Sequence, residues 1–366
     1  MIGERELSGV ALPFAAGVLS ASLLSTLPYH IINAIALPSG AVSAACTYMM
    51  SRKVNKQNML WIWVIITTFI TGAFCFCNAA ILQTTSISNE GLITGLATGL
   101  CDKVQAAIDN LPFKAEETSA IMKALITGER STIPNDVNEA FRASGASHIL
   151  ALSGLHLGII YGITRKILVL PGNTRRAVIG RSIAAVTICG FYTIATGAGE
   201  SIVRAFLFIL LNETAKLTHR RHDLKQILFA ALMIQLTISP LSIRSAGFQL
   251  SYAAMAGIAF INPWLQNFWP RGKSRTNIPR KIWESASVSI SCQLTTGPFA
   301  WYYFGSLPTN FLLTNLIAMP LVGLIIPASI LIITLSGLGI CPNLLIMFTE
   351  QLITIMTSSL KAIAEI

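Results

Sequence analysis

Apolar residues in this chain gather into long runs separated by short polar stretches. Met59 to Leu82 is an apolar run of 24 residues, and at ~1.5 Å rise per residue such a helix crosses a ~30 Å hydrocarbon core with some tilt. Comparable runs occupy Leu7 to Ser25, Ile31 to Met50, and residues 146–163, 182–198, 201–215, 226–243, 246–265 and 285–303. The stretch from Phe311 to Leu338 contains Pro320 and Pro327 and reads as one kinked span or two. The pattern predicts an all-α fold, a polytopic inner-membrane helical bundle of about nine to eleven spans with broken or kinked helices, counting one per ~20 apolar residues. The first run follows Glu4, Arg5 and Glu6 and is read as a retained helix, not a removed signal peptide.

Only residues 84–145 form a sizeable polar region, with eight acidic and five basic residues. Their apolar positions Ile108, Leu111, Ile121, Leu125 and Ile126 are spaced for amphipathic helices, and Thr132, Pro134 and Asp136 mark a turn into another helix. The expected organisation is N-terminal transmembrane helices over 1–83, a small outward-facing helical cap over 84–145, a transmembrane domain over 146–338, and a last span or interfacial helix over 339–366.

Composition agrees with the pattern. Hydrophobic residues make up 53% of the 366 and charged residues 11%, against roughly 25% charged in an average soluble domain; mean hydropathy is +0.64. The formal charge of +10 reports topology more than a nucleic-acid surface. Four segments, 51–58, 164–181, 216–225 and 266–283, hold 17 of the 26 Lys and Arg and a single acid, Asp223. Basic excess marks cytoplasmic loops, so these four are expected inside, the N-terminus with them, and 84–145 outside. The seven cysteines form no CxxC pair and lie mostly in apolar runs, as small core residues do.

Polar groups inside a bilayer are expensive, so those in the spans carry the chemistry. Residues 144–158 place Ser144, Ser147, His148, Ser153 and His156 among Gly and Ala. At 100° per residue, His148 and His156 lie about 80° apart around a helix. Small residues here permit close helix packing with His and Ser bonding to neighbours, or these side chains line a path. In the segment 197–205, Glu200 and Arg204 are spaced to pair on one helix, or Arg204 holds a phosphate. A third cluster contains Gln249 and Ser251. The fourth runs from Gln293 to Pro298, then through Trp301, Tyr302 and Tyr303 to Asn315; its aromatic residues suit a membrane interface or base stacking. Gly272, Lys273 and Ser274 imitate the end of a phosphate loop, but position 267 is Asn and no strand precedes it, so no ATPase is expected. No metal or cofactor pattern occurs, and His219 and His222 fall in a basic loop.

Taken in order, SHILALSGLHLG (147–158), SIVRA (201–205), Asp223-Leu224 before a helix ending at Pro240, GFQLSYAAMAGI (247–258), and the Gln293 to Pro298, Asn315 and Pro320 pattern resemble the competence domain of the ComEC family. The resemblance spans residues 115–320. It implies an inner-membrane channel that carries single-stranded DNA into bacteria during natural transformation, fed by a DNA-receptor protein outside and pulled by a cytoplasmic helicase-type motor. Family members usually add an extracellular OB-like domain and a metallo-β-lactamase-like nuclease domain. Neither pattern is present in this sequence, which leaves the channel core without enzyme activity as the expectation.

On that reading the DNA path is lined by His148, Ser153, His156, Glu200, Arg204, Gln249, Ser251, Gln293 and Asn315, with Trp301, Tyr302 and Tyr303 stacking bases. Two other readings stay open. One is an intramembrane hydrolase with Ser144, Ser147 or Ser153 as nucleophile and His148 or His156 as base, which requires Ser and His within ~3 Å. The other is a transporter of a smaller anionic solute, which differs only in bore.

Overall fold

The computed structural model describes residues 4–23, 29–51, 57–83, 92–168, 174–218, 223–268, 278–305 and 310–365. The chain runs through α1 (Glu4–Leu23), α2 (Tyr29–Ser51), α3 (Gln57–Gln83), α4 (Leu92–Asp109), α5 (Glu116–Thr127), α6 (Asn135–Ala143), α7 (Ser147–Leu150) and α8 (Gly154–Ile167). It continues through α9 (Arg175–Ala195), α10 (Glu200–Leu217), α11 (Leu224–Ile238), α12 (Ala246–Ala256), α13 (Asn262–Gln266), α14 (Ile278–Phe304), α15 (Phe311–Gly337) and α16 (Asn343–Ala364). A 3-10 turn, Pro240–Arg244, precedes α12, and a π-helical turn, Gly257–Ile261, follows it. Every regular element among the described residues is helical, as the run lengths predict. Lys53, His219, His222 and the Gly272 to Ser274 motif lie outside the described residues, as do most of the basic positions in 51–58 and 266–283.

Three described helices are long and apolar enough to cross a membrane: Trp61–Leu82, Arg175–Ala195 and Phe311–Gly337. Leu7–Leu23 and Leu224–Ile238 are shorter apolar helices. The largest departure from the simple span pattern is residues 146–163, read from sequence as one crossing. The structure breaks it: Ala151 and Ser153 are extended, at φ −77°, ψ 131° and φ −128°, ψ 172°, so α7 ends and α8 starts afresh. All five basic positions assigned to the loop 164–181 belong to helices, Arg165 and Lys166 to α8 and Arg175, Arg176 and Arg181 to α9. Arg165 lies in the last turn of α8 and Arg181 is buried in α9.

The chain divides into two compact units. The first joins residues 1–89 to 214–259. Here α3 packs against both α1 and α2, which share it as a partner. Gly17 faces the Phe69 carbonyl and Gly72 the Phe14 carbonyl; a Cβ on either would fall 1.9 or 2.1 Å from the oxygen. Backbones this close require glycine, the usual device where helices associate without a hydrophobic driving force. Arg244 donates to the Ser22 carbonyl at 2.6 Å and its guanidinium sits 5.0 Å from the Phe76 ring centroid.

The second unit joins residues 90–213 to 260–366. Its core unites Ile108, Ile121, Leu125, Phe141 and Ile149 with Ile325, Ile353 and Met356. The amphipathic positions of 84–145 thus turn inward, against the apolar helix α15 and the C-terminal α16. α16 also caps α5: with Ala115 at the N-cap offering no side chain, Glu350 accepts from the amides of Lys114 and Ala115 at 2.9 and 3.0 Å.

Asp109, at the C-terminal end of α4, is 2.8 Å from the nearly buried Lys123 ammonium. That hydrogen bond holds the Asp109 carboxyl below the usual carboxylate range. A depressed carboxylate pKa stabilises the fold above its unfolded value and loses that contribution as pH falls through the folded one. The wild type is therefore expected to melt above Asp109→Asn at neutral pH, with the gap closing below about pH 4. Thermal unfolding followed by circular dichroism across pH 3–7 reads this, and a gap unchanged at acid pH would contradict it.

Candidate functional site

The break between α7 and α8 falls inside the ALSGLH part of the first cluster and is built from it. Ser153 caps α8, its Oγ accepting from the Leu155 amide at 3.3 Å, while the Ser153 amide donates to His156 Nδ1 at 3.2 Å. This is a capping box with histidine where Glu or Gln is usual. An amide N–H can only donate, so Nδ1 accepts and the proton of the neutral ring sits on Nε2. His156 is 1% exposed, and its Nε2 is buried with no hydrogen-bond partner. On the other side of the break His148 is exposed and donates from Nδ1 to the Gly145 carbonyl at 3.0 Å.

Other predicted residues gather here. Arg204, 7% exposed on α10, has its guanidinium 3.9 Å from where a Cβ on Gly154 would stand, and the Ala205 methyl is 3.4 Å from the same point. Its charge also reaches Cys292 on α14. Asn315 on α15 lies beside His148, and its Nδ2 donates to Ser289 Oγ on α14 at 3.4 Å. The Asn315 Oδ1 is buried without a partner. One residue earlier, Thr314 donates to the Ser144 carbonyl at 2.7 Å, fixing α15 to the chain that leads into α7. Thus His148, Ser153, His156, Arg204 and Asn315, far apart in sequence, share one neighbourhood.

The other residues predicted for the DNA path lie on α10 and α14, which also carry Arg204 and Ser289, and in the first unit. Glu200 opens α10, half-buried. Gln293, next to Cys292, is half-buried. Trp301 and Tyr302 are 61% and 80% exposed, and Tyr302 and Tyr303 stack edge-on with centroids 5.1 Å apart. Gln249 and Ser251 belong to the first unit; Gln249 Nε2 donates to the Ile243 carbonyl at 2.8 Å, closing the 3-10 turn, and Ser251 is buried in α12. Ser144 is fully buried, with Oγ 3.4 Å from the Phe141 carbonyl, and Ser147 is exposed.

Two features were missed from the sequence. Glu213, 1% exposed in α10, accepts a hydrogen bond from Tyr161 and lies 3.5 Å from Arg165, both on α8. A carboxylate in the run 201–215 was its signal, since a charge in an apolar run needs a partner. Alongside Asn315, a cavity of about 620 Å³ opens between α13, α14 and α15, lined also by Lys281, Glu284 and Leu316. No pattern within one helix announces a space between three.

With this geometry in hand, comparison with known proteins gives a definite result. The family model described as "Competence protein" matches residues 125–366. The chain belongs to the competence protein family. ComE operon protein 3 of Bacillus subtilis (strain 168) is 27% identical over 202 residues, 54% of this chain and 24% of that protein. Uncharacterized protein YcaI of Escherichia coli (strain K12) is 25% identical over 255 residues, 68% of this chain and 33% of that protein. The chain therefore spans a quarter to a third of these curated relatives. No solved structure matches it. The family match begins inside α5 and takes in the whole break, α10, and the α14–α15 pair. Family membership and the apolar helices are consistent with a membrane protein.

Proposed function

We propose that the chain passes single-stranded DNA across the bacterial inner membrane during natural transformation, as a multi-pass channel and not as an enzyme. The observation that carries this reading is the gathering of His148, Ser153, His156, Arg204 and Asn315 at a broken helix in a competence-family chain. Irregular backbone at membrane depth is tolerated where it lines a cavity or is buried in protein, and half-helices with exposed ends are how transporters build polar sites. A DNA strand requires donors and positive charge for its phosphates, and this set supplies both. The half-buried Gln293 extends the path, and the exposed Trp301 and Tyr302, with the half-buried Tyr303, offer stacking surfaces. A DNA receptor outside and a helicase-type motor in the cytoplasm complete the proposal.

Nine to eleven spans, a cytoplasmic N-terminus and an outward-facing 84–145 region form the proposed topology. Asn135 and Arg176 are both exposed and serve as reporters. A membrane-impermeant maleimide added to intact cells is expected to label a cysteine at 135 and to spare one at 176 until the membrane is opened. Labelling of 176 and sparing of 135 would invert the topology.

One observation favours the hydrolase reading: Ser153 Oγ is 2.9 Å from His156 Nδ1. The same Nδ1 already receives the Ser153 amide, and the same Oγ already accepts from the Leu155 amide. A base nitrogen and a nucleophile both committed to capping their own helix fit structure better than acyl transfer. Ser153→Thr keeps the cap and is expected to retain most uptake, and Ser153→Ala to lose part of it. Complete loss in Ser153→Ala at normal protein level, with covalent labelling of Ser153 by a fluorophosphonate, would reverse this assignment.

A further inference from the structure

Helices α8 and α10 meet at Gly154 against Ala205 and Arg204, and further along at Tyr161 and Arg165 against Glu213. The two contacts advance along both helices in the same sense, so α8 and α10 share a direction and present their N-terminal ends at the same end of the unit. A helix N-terminus carries roughly half a positive charge. Glu200 offsets that of α10, whereas the first turn of α8 holds no acid. At this uncompensated end His156 folds back onto Ser153, leaving its Nε2–H as a buried donor without an acceptor, a state that folded proteins avoid.

We propose that the N-terminus of α8 is an anion site that takes a phosphodiester oxygen, with His156 Nε2–H as donor and the Arg204 guanidinium beside Gly154 supplying charge. The diester identity rests on the DNA-path reading; the donor geometry stands apart from it. Such a site holds the backbone and ignores the bases, which suits passage of any sequence. The extended Ser153 is what makes it, because a continuous helix through 151–153 would spend the α8 amides on the preceding turn.

The capping box supplies the means of separating structure from binding. Gln at position 156 can accept the Ser153 amide and still offer an N–H. Glu can accept that amide equally well, as in the usual box, but puts an anion where the donor stood. The full chain in lipid nanodiscs is titrated with inorganic phosphate, with an eight-residue oligothymidylate, and with its uncharged methylphosphonate counterpart. Wild type and His156→Gln are expected to bind phosphate and the oligothymidylate within about threefold of each other, and His156→Glu about tenfold or more weakly, with the methylphosphonate as weak as the Glu variant. In the wild type, phosphate is expected to shift the His156 Nε2–H resonance, a readout that holds even if the Glu variant is lost to misfolding. An unmoved resonance, or a folded Glu variant that binds both anions as the wild type does, overturns the site. Oligothymidylate binding that ignores position 156 overturns the site and leaves the DNA path standing. Phosphate binding without oligothymidylate binding overturns the diester assignment and, with it, the DNA path.

Discussion

Arg204→Ala is expected to lower uptake of labelled DNA by roughly ten- to a hundredfold, the equivalent of a lost charge-assisted hydrogen bond, while Arg176→Ala leaves it near wild type. Arg204 is 7% exposed and stands against Gly154 at the helix break, whereas Arg176 is exposed in the first turn of α9. Retaining a cation where water is scarce is costly, and a transport path is one setting in which that cost is recovered. Arg204→Lys keeps the charge without the planar fork and is expected to fall between the two. Protein level must be followed in each strain, since Arg204 is buried against the start of α8 at Gly154. Normal uptake in an abundant Arg204→Ala protein would remove this residue from the path.

The second large effect belongs to the fold. Gly72→Leu is expected to deplete the protein, because a Cβ there meets the Phe14 carbonyl at 2.1 Å and the Val18 amide nitrogen at 3.2 Å. Both neighbours are backbone, and no rotamer change relieves the clash. Overpacking usually costs about 1–3 kcal/mol, and separating two helix backbones is expected to reach the top of that range or exceed it. Gly158→Leu is the matched control, since nothing lies within 4 Å of its Cβ position. Fluorescence-detected size-exclusion chromatography of solubilised protein reads both. A monodisperse, abundant Gly72→Leu protein would mean that α1 and α3 do not approach as described.

Much of this was legible in the chain because helices in a membrane are signalled by run length alone. The apolar runs and the amphipathic spacing of Ile108, Ile121 and Leu125 name helices and buried faces without knowledge of the partner. The site was legible as residue types: His148, Ser153, His156, Arg204 and Asn315 stand out because polar groups in apolar runs are rare. Their convergence was not, since it depends on α10 and α15 reaching residues 148–156 across the unit. Nor was the break at 151–153. Ser153-Gly154 is a turn and N-cap signal, but the apolar run continues straight through it and masks it; the break shows once Ser153 is seen capping the second half with His156 answering it. Gln249 reads in sequence as one more polar residue of the same kind, and its bond to the Ile243 carbonyl, which closes the 3-10 turn, had no signal in the pattern.

The central claim is that a DNA strand in transit passes the neighbourhood of the α8 break. The most direct measurement places a photocrosslinking amino acid at Gln293, half-buried beside Cys292, and at Ile183, which is 60% exposed on the apolar helix α9. Competent cells are illuminated while taking up labelled DNA. The account predicts DNA adducts from position 293 that require ongoing uptake, and none from 183. Uptake that proceeds normally with no adduct at 293, or with equal adducts at both positions, would contradict it.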